Sequence, residues 1–168
     1  GGKGNDTISM FSGVASTVTS SFVGAGVGGD SINLGTGTIS TSTIKGGDGA
    51  DTIDFLQATS TINAVSGNKG ADTMQIGAGS TTTSVYAGAG HDTVSVLTAG
   101  TVNRLVLGAG NDSITLGSGV TVSTLVGGGL SDTITFGDFA GGVIYGDALS
   151  VTTAGTGTGG LADGGDLI

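Results

Sequence analysis

Residues 46–55 read GGDGADTIDF: a glycine-rich turn, an Asp at position 51, then Thr52, Ile53, Asp54 and Phe55. The same formula returns six more times. It is GGKGNDTISM at 1–10, AGVGGDSINL at 25–34, GNKGADTMQI at 67–76, AGAGHDTVSV at 87–96, LGAGNDSITL at 107–116 and GGGLSDTITF at 127–136. The aligned acids are Asp6, Asp30, Asp51, Asp72, Asp92, Asp112 and Asp132, spaced 24, 21, 21, 20, 20 and 20 residues apart. A fixed period this short marks a solenoid, in which each repeat is one coil stacked on the next.

Within a coil the pattern is that of strands. The second residue after each Asp is apolar (Ile8, Ile32, Ile53, Met74, Val94, Ile114, Ile134), and so is the fourth (Met10, Leu34, Phe55, Ile76, Val96, Leu116, Phe136). The residues between them are polar, and a Thr or Ser directly follows each Asp. Alternation with period two is a strand with one buried face. Seven residues before the next Asp stand Val23, Ile44, Val65, Val85, Leu105 and Leu125, an aliphatic stack. Eleven before it stand Thr19, Ser40, Thr61, Thr81, Thr101 and Thr121, a hydroxyl stack. Gly-rich tripeptides at Gly35 and Gly77 join the halves. No stripe of period 3.6 appears, and Gly and β-branched residues disfavour helix.

The expected fold is therefore all-β: a right-handed parallel β-roll or β-solenoid with coils of about 20 residues and two short strands per coil. Stacking at about 4.8 Å makes seven coils a rod of roughly 30–35 Å. Residues 1–140 form the solenoid. Residues 141–168 break the period: a shorter turn at Asp147 and a Thr/Gly-rich stretch precede Asp163 and Asp166, which reads as an inserted turn before a further repeat. The first residues lie inside one motif and the last inside another, so the sequence reads as a segment of a longer protein.

Composition narrows the function. Of 168 residues 37 are Gly, none is Pro or Cys, and the aromatic fraction is 4%, so the core must be narrow and aliphatic. The net charge is −9, and all 13 acids are Asp, a residue suited to turns and to metal ions held by tight loops. Four cations (Lys3, Lys45, Lys69, Arg104) are too few for a phosphate-binding surface, which argues against a nucleic-acid partner. No apolar run has membrane-spanning length, and no signal peptide is visible. The absence of Cys suits a secreted protein. The lone His91 reads as an exposed turn residue, and no nucleophile–base pair assembles, so neither an enzyme nor a small-molecule substrate is expected.

A row of carboxylates repels itself, and a cation relieves it. The same formula also suits a turn in which Asp caps backbone amides. The motif resembles the nonapeptide of the RTX (hemolysin-type) calcium-binding repeats, GGxGxDxUx with U a large apolar residue; residues 1–8 and 46–53 match it in full. The resemblance implies calcium held between successive turns, about one ion per coil-to-coil interface, by the seven motif Asp carboxylates and by the carbonyls at motif positions 1 and 3. Those carbonyl pairs are Gly1 and Lys3, Ala25 and Val27, Gly46 and Asp48, Gly67 and Lys69, Ala87 and Ala89, Leu107 and Ala109, and Gly127 and Gly129. Because the motif sits on one edge only, one row of ions is expected. Asn68, Leu107 and Leu130 depart from the glycine pattern, Leu130 most seriously because it occupies position 4 beside Asp132.

In composition the chain is most similar to RTX-type S-layer proteins of Gram-negative bacteria, which implies a secreted, extracellular structural protein of the cell surface, type I secretion and calcium-driven self-assembly with like subunits. The alternatives are an extender or adhesin segment of a giant RTX surface protein, with ice binding ranked low, and the calcium roll of a secreted hydrolase.

Overall fold

The computed structural model describes residues 1–10, 17–35, 37–55, 60–137, 140–146, 148–153 and 158–161. The expectations placed on Asp147, Asp163 and Asp166 fall outside these residues. The chain winds as a parallel β-solenoid of two sheets. The short-strand sheet runs β1 (Thr7–Ser9), β4 (Ser31–Asn33), β6 (Thr52–Phe55), β8 (Thr73–Ile76), β10 (Thr93–Val96), β12 (Ser113–Leu116), β14 (Ser131–Phe136) and β16 (Ala148–Thr153) in that order. The long-strand sheet runs β2 (Thr17–Thr19), β5 (Thr38–Asp48), β7 (Thr61–Lys69), β9 (Thr81–Ala89), β11 (Thr101–Ala109), β13 (Thr121–Gly129), β15 (Ala140–Tyr145) and β17 (Thr158–Leu161). Strand β3 (Phe22–Val27) also pairs with β5.

Every strand pair is parallel, and register follows the sequence period. Thr93 lies between Thr73 and Ser113, and Leu105 between Val85 and Leu125. The hydroxyl row Thr19, Ser40, Thr61, Thr81, Thr101 and Thr121 is in register from β2 to β13. The three aliphatic rows read from the sequence meet in one core. Ile32, Ile53, Met74, Val94, Ile114 and Ile134 are fully buried, and Ile44, Val65, Val85, Leu105 and Leu125 face them.

The two strands of a coil are unequal. Strands β7, β9, β11 and β13 each have nine residues, against four in β6, β8, β10 and β12. The long strands absorb the first three residues of each motif, so the turn proper is only positions 4 to 6. This adds Ile62, Val102 and Val122, and the position-1 residues Ala25, Ala87 and Leu107, to the buried core.

Position 2 shows why glycine recurs there. Gly108 has φ 109°, and a Cβ on it would run into the Gly88 carbonyl of the preceding coil. Asn68 occupies the same position with φ 82°, a region Asn tolerates better than other non-glycine residues. Leu107 at position 1 is not in the left-handed region, so its side chain fits. Leu130 at position 4 is, with φ 74°, and β14 there starts two residues early. The step to the next coil is shorter, and the register sets Leu149, not an Asp, opposite Asp132.

Each coil touches only its neighbours, so a core defect is borne locally. Leu105→Ala should lower unfolding free energy by about 2–5 kcal/mol through lost burial and the cavity left behind. Guanidinium denaturation followed by circular dichroism measures it.

Candidate metal centre

The motif edge is a main-chain ladder that runs around a turn. Position-3 N–H groups reach back to position-2 carbonyls, as in Val27 to Gly2 at 2.8 Å. Position-4 N–H groups reach forward to position-3 carbonyls: Gly4 to Val27, Gly28 to Asp48, Gly49 to Lys69, Gly70 to Ala89, Gly90 to Ala109 and Gly110 to Gly129, at 2.7–3.3 Å. After the turn, the Thr or Ser N–H donates to the Asp carbonyl of the preceding coil, as in Thr93 to Asp72 at 2.8 Å.

At position 6 no main-chain acceptor serves the N–H, and the Asp side chain replaces one. The N–H of Asp6 donates to Asp30 Oδ1 at 2.7 Å. Asp30 then donates to Asp51, Asp51 to Asp72 and Asp72 to Asp92, each at 2.8 Å. Asp92 donates to Asp112 at 2.7 Å and Asp112 to Asp132 at 3.0 Å. The seven acids are thus one row of coil-to-coil bonds, and the amide-capping role open in the sequence is filled by Oδ1.

Oδ2 is another matter. Asp30, Asp51, Asp72, Asp92, Asp112 and Asp132 are at most 2% exposed, and each Oδ2 is buried with no hydrogen-bond partner. Asp6 is half-buried, and its Oδ2 accepts the Gly2 N–H at 2.8 Å. The carboxylates therefore point into the coil and not out along its edge. An unpaired buried carboxylate oxygen is expensive. Burial pushes the carboxyls of Asp72 and Asp132 up to about 6 and raises those of Asp51, Asp92 and Asp112. The backbone N–H on Oδ1 opposes this in every case. At Asp72 the charges of Asp92 and Asp51 add to the rise.

A position-1 carbonyl lies close to the orphan oxygen of Asp72 and another to Oδ2 of Asp6. A Cβ placed on Gly67 would press on both Asp72 Oδ2 and the Ala87 carbonyl oxygen; one on Gly1 would press on Asp6 Oδ2 and the Ala25 carbonyl oxygen. Each such gap is bordered by a carboxylate oxygen from one coil and a position-1 carbonyl from the next. Gly46 likewise leaves room for Asp51 Oδ2. Gly127 repeats the arrangement of residue types beside Asp132, whereas Ala25, Ala87 and Leu107 bring buried side chains to position 1. The position-3 carbonyls of Val27, Asp48, Lys69, Ala89, Ala109 and Gly129 already accept one N–H each and keep one lone pair; Lys3 pairs with Val27 as an isolated bridge.

Among the described residues no three His, Cys, Asp or Glu side chains converge on one point. The oxygens present suit a hard cation such as calcium in kind, with one carboxylate oxygen per coil and backbone carbonyls supplying the remainder.

Two features escaped the sequence. Position 5 forms an outer ladder: Gly29 N–H donates to Asn5 Oδ1, Asn111 N–H to His91 Nδ1 and Ser131 N–H to Asn111 Oδ1, at 2.9–3.0 Å. His91 is exposed, as expected, but its Nδ1 caps the main chain. On the opposite edge buried serines do the work of Asp, with Ile39 N–H on Ser60 Oγ at 3.1 Å and Ser60 N–H on Ser80 Oγ at 3.3 Å. No protein family, curated protein or solved structure matches this chain.

Carboxyls raised in the folded state favour folding most when protonated. In chelator, stability should be highest near pH 4 and fall as pH rises through about 6, as melting scans between pH 4 and 8 would record. Asp92→Asn keeps an acceptor for the Asp72 N–H and removes a buried charge. It should raise the chelator melting temperature at pH 7.5 by a few degrees, in line with about 1 kcal/mol for a domain of this size.

Proposed function

We propose that this chain is a calcium-binding structural segment of a secreted cell-surface protein, and that its parent is a surface-layer (S-layer) lattice protein of the RTX type. The observation that carries the reading is the row of six buried, unpartnered Oδ2 atoms repeated coil after coil. A single orphan oxygen could be a local accident of packing. Six in register are a design that leaves a negative charge in each of six successive coils, with the Ala87 carbonyl beside that of Asp72.

The residues proposed to hold the ions are Asp6, Asp30, Asp51, Asp72, Asp92, Asp112 and Asp132, with the position-1 carbonyls of the following coils. Bound calcium would neutralise the carboxylates and tie neighbouring coils together. Oδ1 keeps its backbone N–H throughout, so the turn is organised before any ion arrives. Gly46 and Gly67, lacking a Cβ, let the Asp51 and Asp72 carboxylates lie against the strand, and the Ala87 carbonyl beside Asp72 makes that the strongest site; Leu107 and Leu130 make Asp112 and Asp132 the weakest. Because an ion that binds only the folded chain stabilises it by mass action, folding and loading are coupled.

A non-enzymatic role is part of this reading. His91 Nδ1 is engaged by Asn111, and the carboxylates face the core and not a cleft. Extracellular location and self-assembly with like subunits follow from the resemblance to S-layer proteins.

Calorimetric titration with calcium at pH 7.5 should give several sites and a melting temperature that climbs with calcium concentration. Asp72→Asn should remove at least one site. Unchanged melting temperature with no heat of binding would sink the calcium reading. Electron microscopy with calcium then separates the parents: ordered two-dimensional sheets support a lattice protein, and dispersed rods an extender.

A further inference from the structure

The outward face of the long-strand sheet carries a second periodicity, three coils long. Its large aromatic residues are Phe22 on β3, Tyr86 on β9 and Tyr145 on β15, each three strands from the next. They are 67%, 38% and 47% exposed. Outside the Lys69–Asp48 ion pair, its outward cations are Lys45 on β5 and Arg104 on β11, three strands apart. Each cation thus lies one strand beyond an aromatic residue. Strand spacing puts about 14 Å between the levels of successive aromatics, with Phe22 in the register row of Arg104 and with Tyr86 and Tyr145 in that of Lys45.

The first aromatic–cation pair is built. Lys45 Nζ stands 6.0 Å from the centroid of the Phe22 ring. The ring edge lies against Gly24, where a Cβ would come within 2.7 Å of it. Beside the pair is a depression of about 260 Å³ lined by Phe22, Lys45 and Asn68 over a floor of Gly24, Gly26 and Gly47. A glycine floor lets a flat ring approach the backbone closely. The surrounding rows, Thr61, Thr81, Asn63 and Asn103, offer hydroxyls and amides.

Charge is divided between the faces. Strands β3, β5, β7, β9, β11 and β13 contain one carboxylate, Asp48, which is ion-paired with Lys69 at 2.8 Å. With Lys45, Lys69 and Arg104 against that one carboxylate, these strands are locally positive in a chain of net charge −9. A partner with negative charge, apolar ring faces and many hydroxyls is complementary to it.

We propose that this face binds a linear acidic polysaccharide. A sugar ring stacks on Phe22 within the glycine-floored depression, its carboxylate meets Lys45, and the chain runs along the solenoid axis to the Tyr86–Arg104 pair. The site uses neither the motif carboxylates nor a bound metal.

The test is binding of hyaluronan oligosaccharides, a soluble polyuronate, to the full chain by calorimetry, with calcium fixed at one concentration throughout. Dextran of equal length is the neutral control, and oligo-dT tests for a nucleic-acid surface. Hyaluronan should bind, weaken with added salt, and lose at least tenfold in affinity in the double variant K45Q/R104Q. These side chains are exposed, so an unchanged melting temperature certifies the fold. Phe22→Leu, which keeps an apolar cover on Gly24, should lose severalfold. Equal binding of dextran, tighter binding of oligo-dT, or full affinity in K45Q/R104Q would each overturn the proposal.

Discussion

The bond from each Asp N–H to the Oδ1 of the Asp one coil on is the interaction on which the edge depends. A parallel ladder survives a tight corner only if every N–H along it finds an acceptor. At position 6 the main chain supplies none, and a carboxylate one methylene long reaches the gap. Glu would overshoot it, which gives a physical reason for Asp at each of the six acceptor positions. The glycines at positions 2 and 4 serve the same end, because they let successive backbones approach until the ladder closes.

That solution creates the tension at the centre of the molecule. Oδ1 accepts one backbone N–H, and its partner oxygen is buried with no hydrogen-bond partner. A serine, as at Ser60 and Ser80 on the opposite edge, caps an amide without bringing a charge. The motif edge uses the costlier group in coil after coil. Burial is then opposed by raised carboxyl pKa values, as at Asp72, or relieved by a cation. The same side chain thereby serves as a structural cap through one oxygen and as a candidate ligand through the other.

The period, the seven acids, the parallel register and the three aliphatic rows were legible in the sequence because each leaves a mark of fixed phase. Strand length was not, since glycines at positions 1 and 2 look like turn in any single repeat. The burial of position 1 was hidden by its variety, Gly67, Ala87 and Leu107 being alike only in where they point. The inward set of the carboxylates was also invisible: alternation assigns faces within a strand, and no such rule holds at a corner. The outer ladder at position 5 was masked by Ala50 and Ala71, which contribute no acceptor to it.

All six Asp N–H to Oδ1 bonds point the same way, from each coil toward the one that follows. They form a chain of dipoles aligned head to tail, and such chains polarise one another. Asp72 has aligned neighbours on both sides. Asp132 has one, because Leu149 follows it. Tolerance of substitution should therefore be graded along the rod. The middle of the row is its stiffest stretch, and the coil boundary at Leu149 is where sequence drift, insertion and fraying meet least resistance.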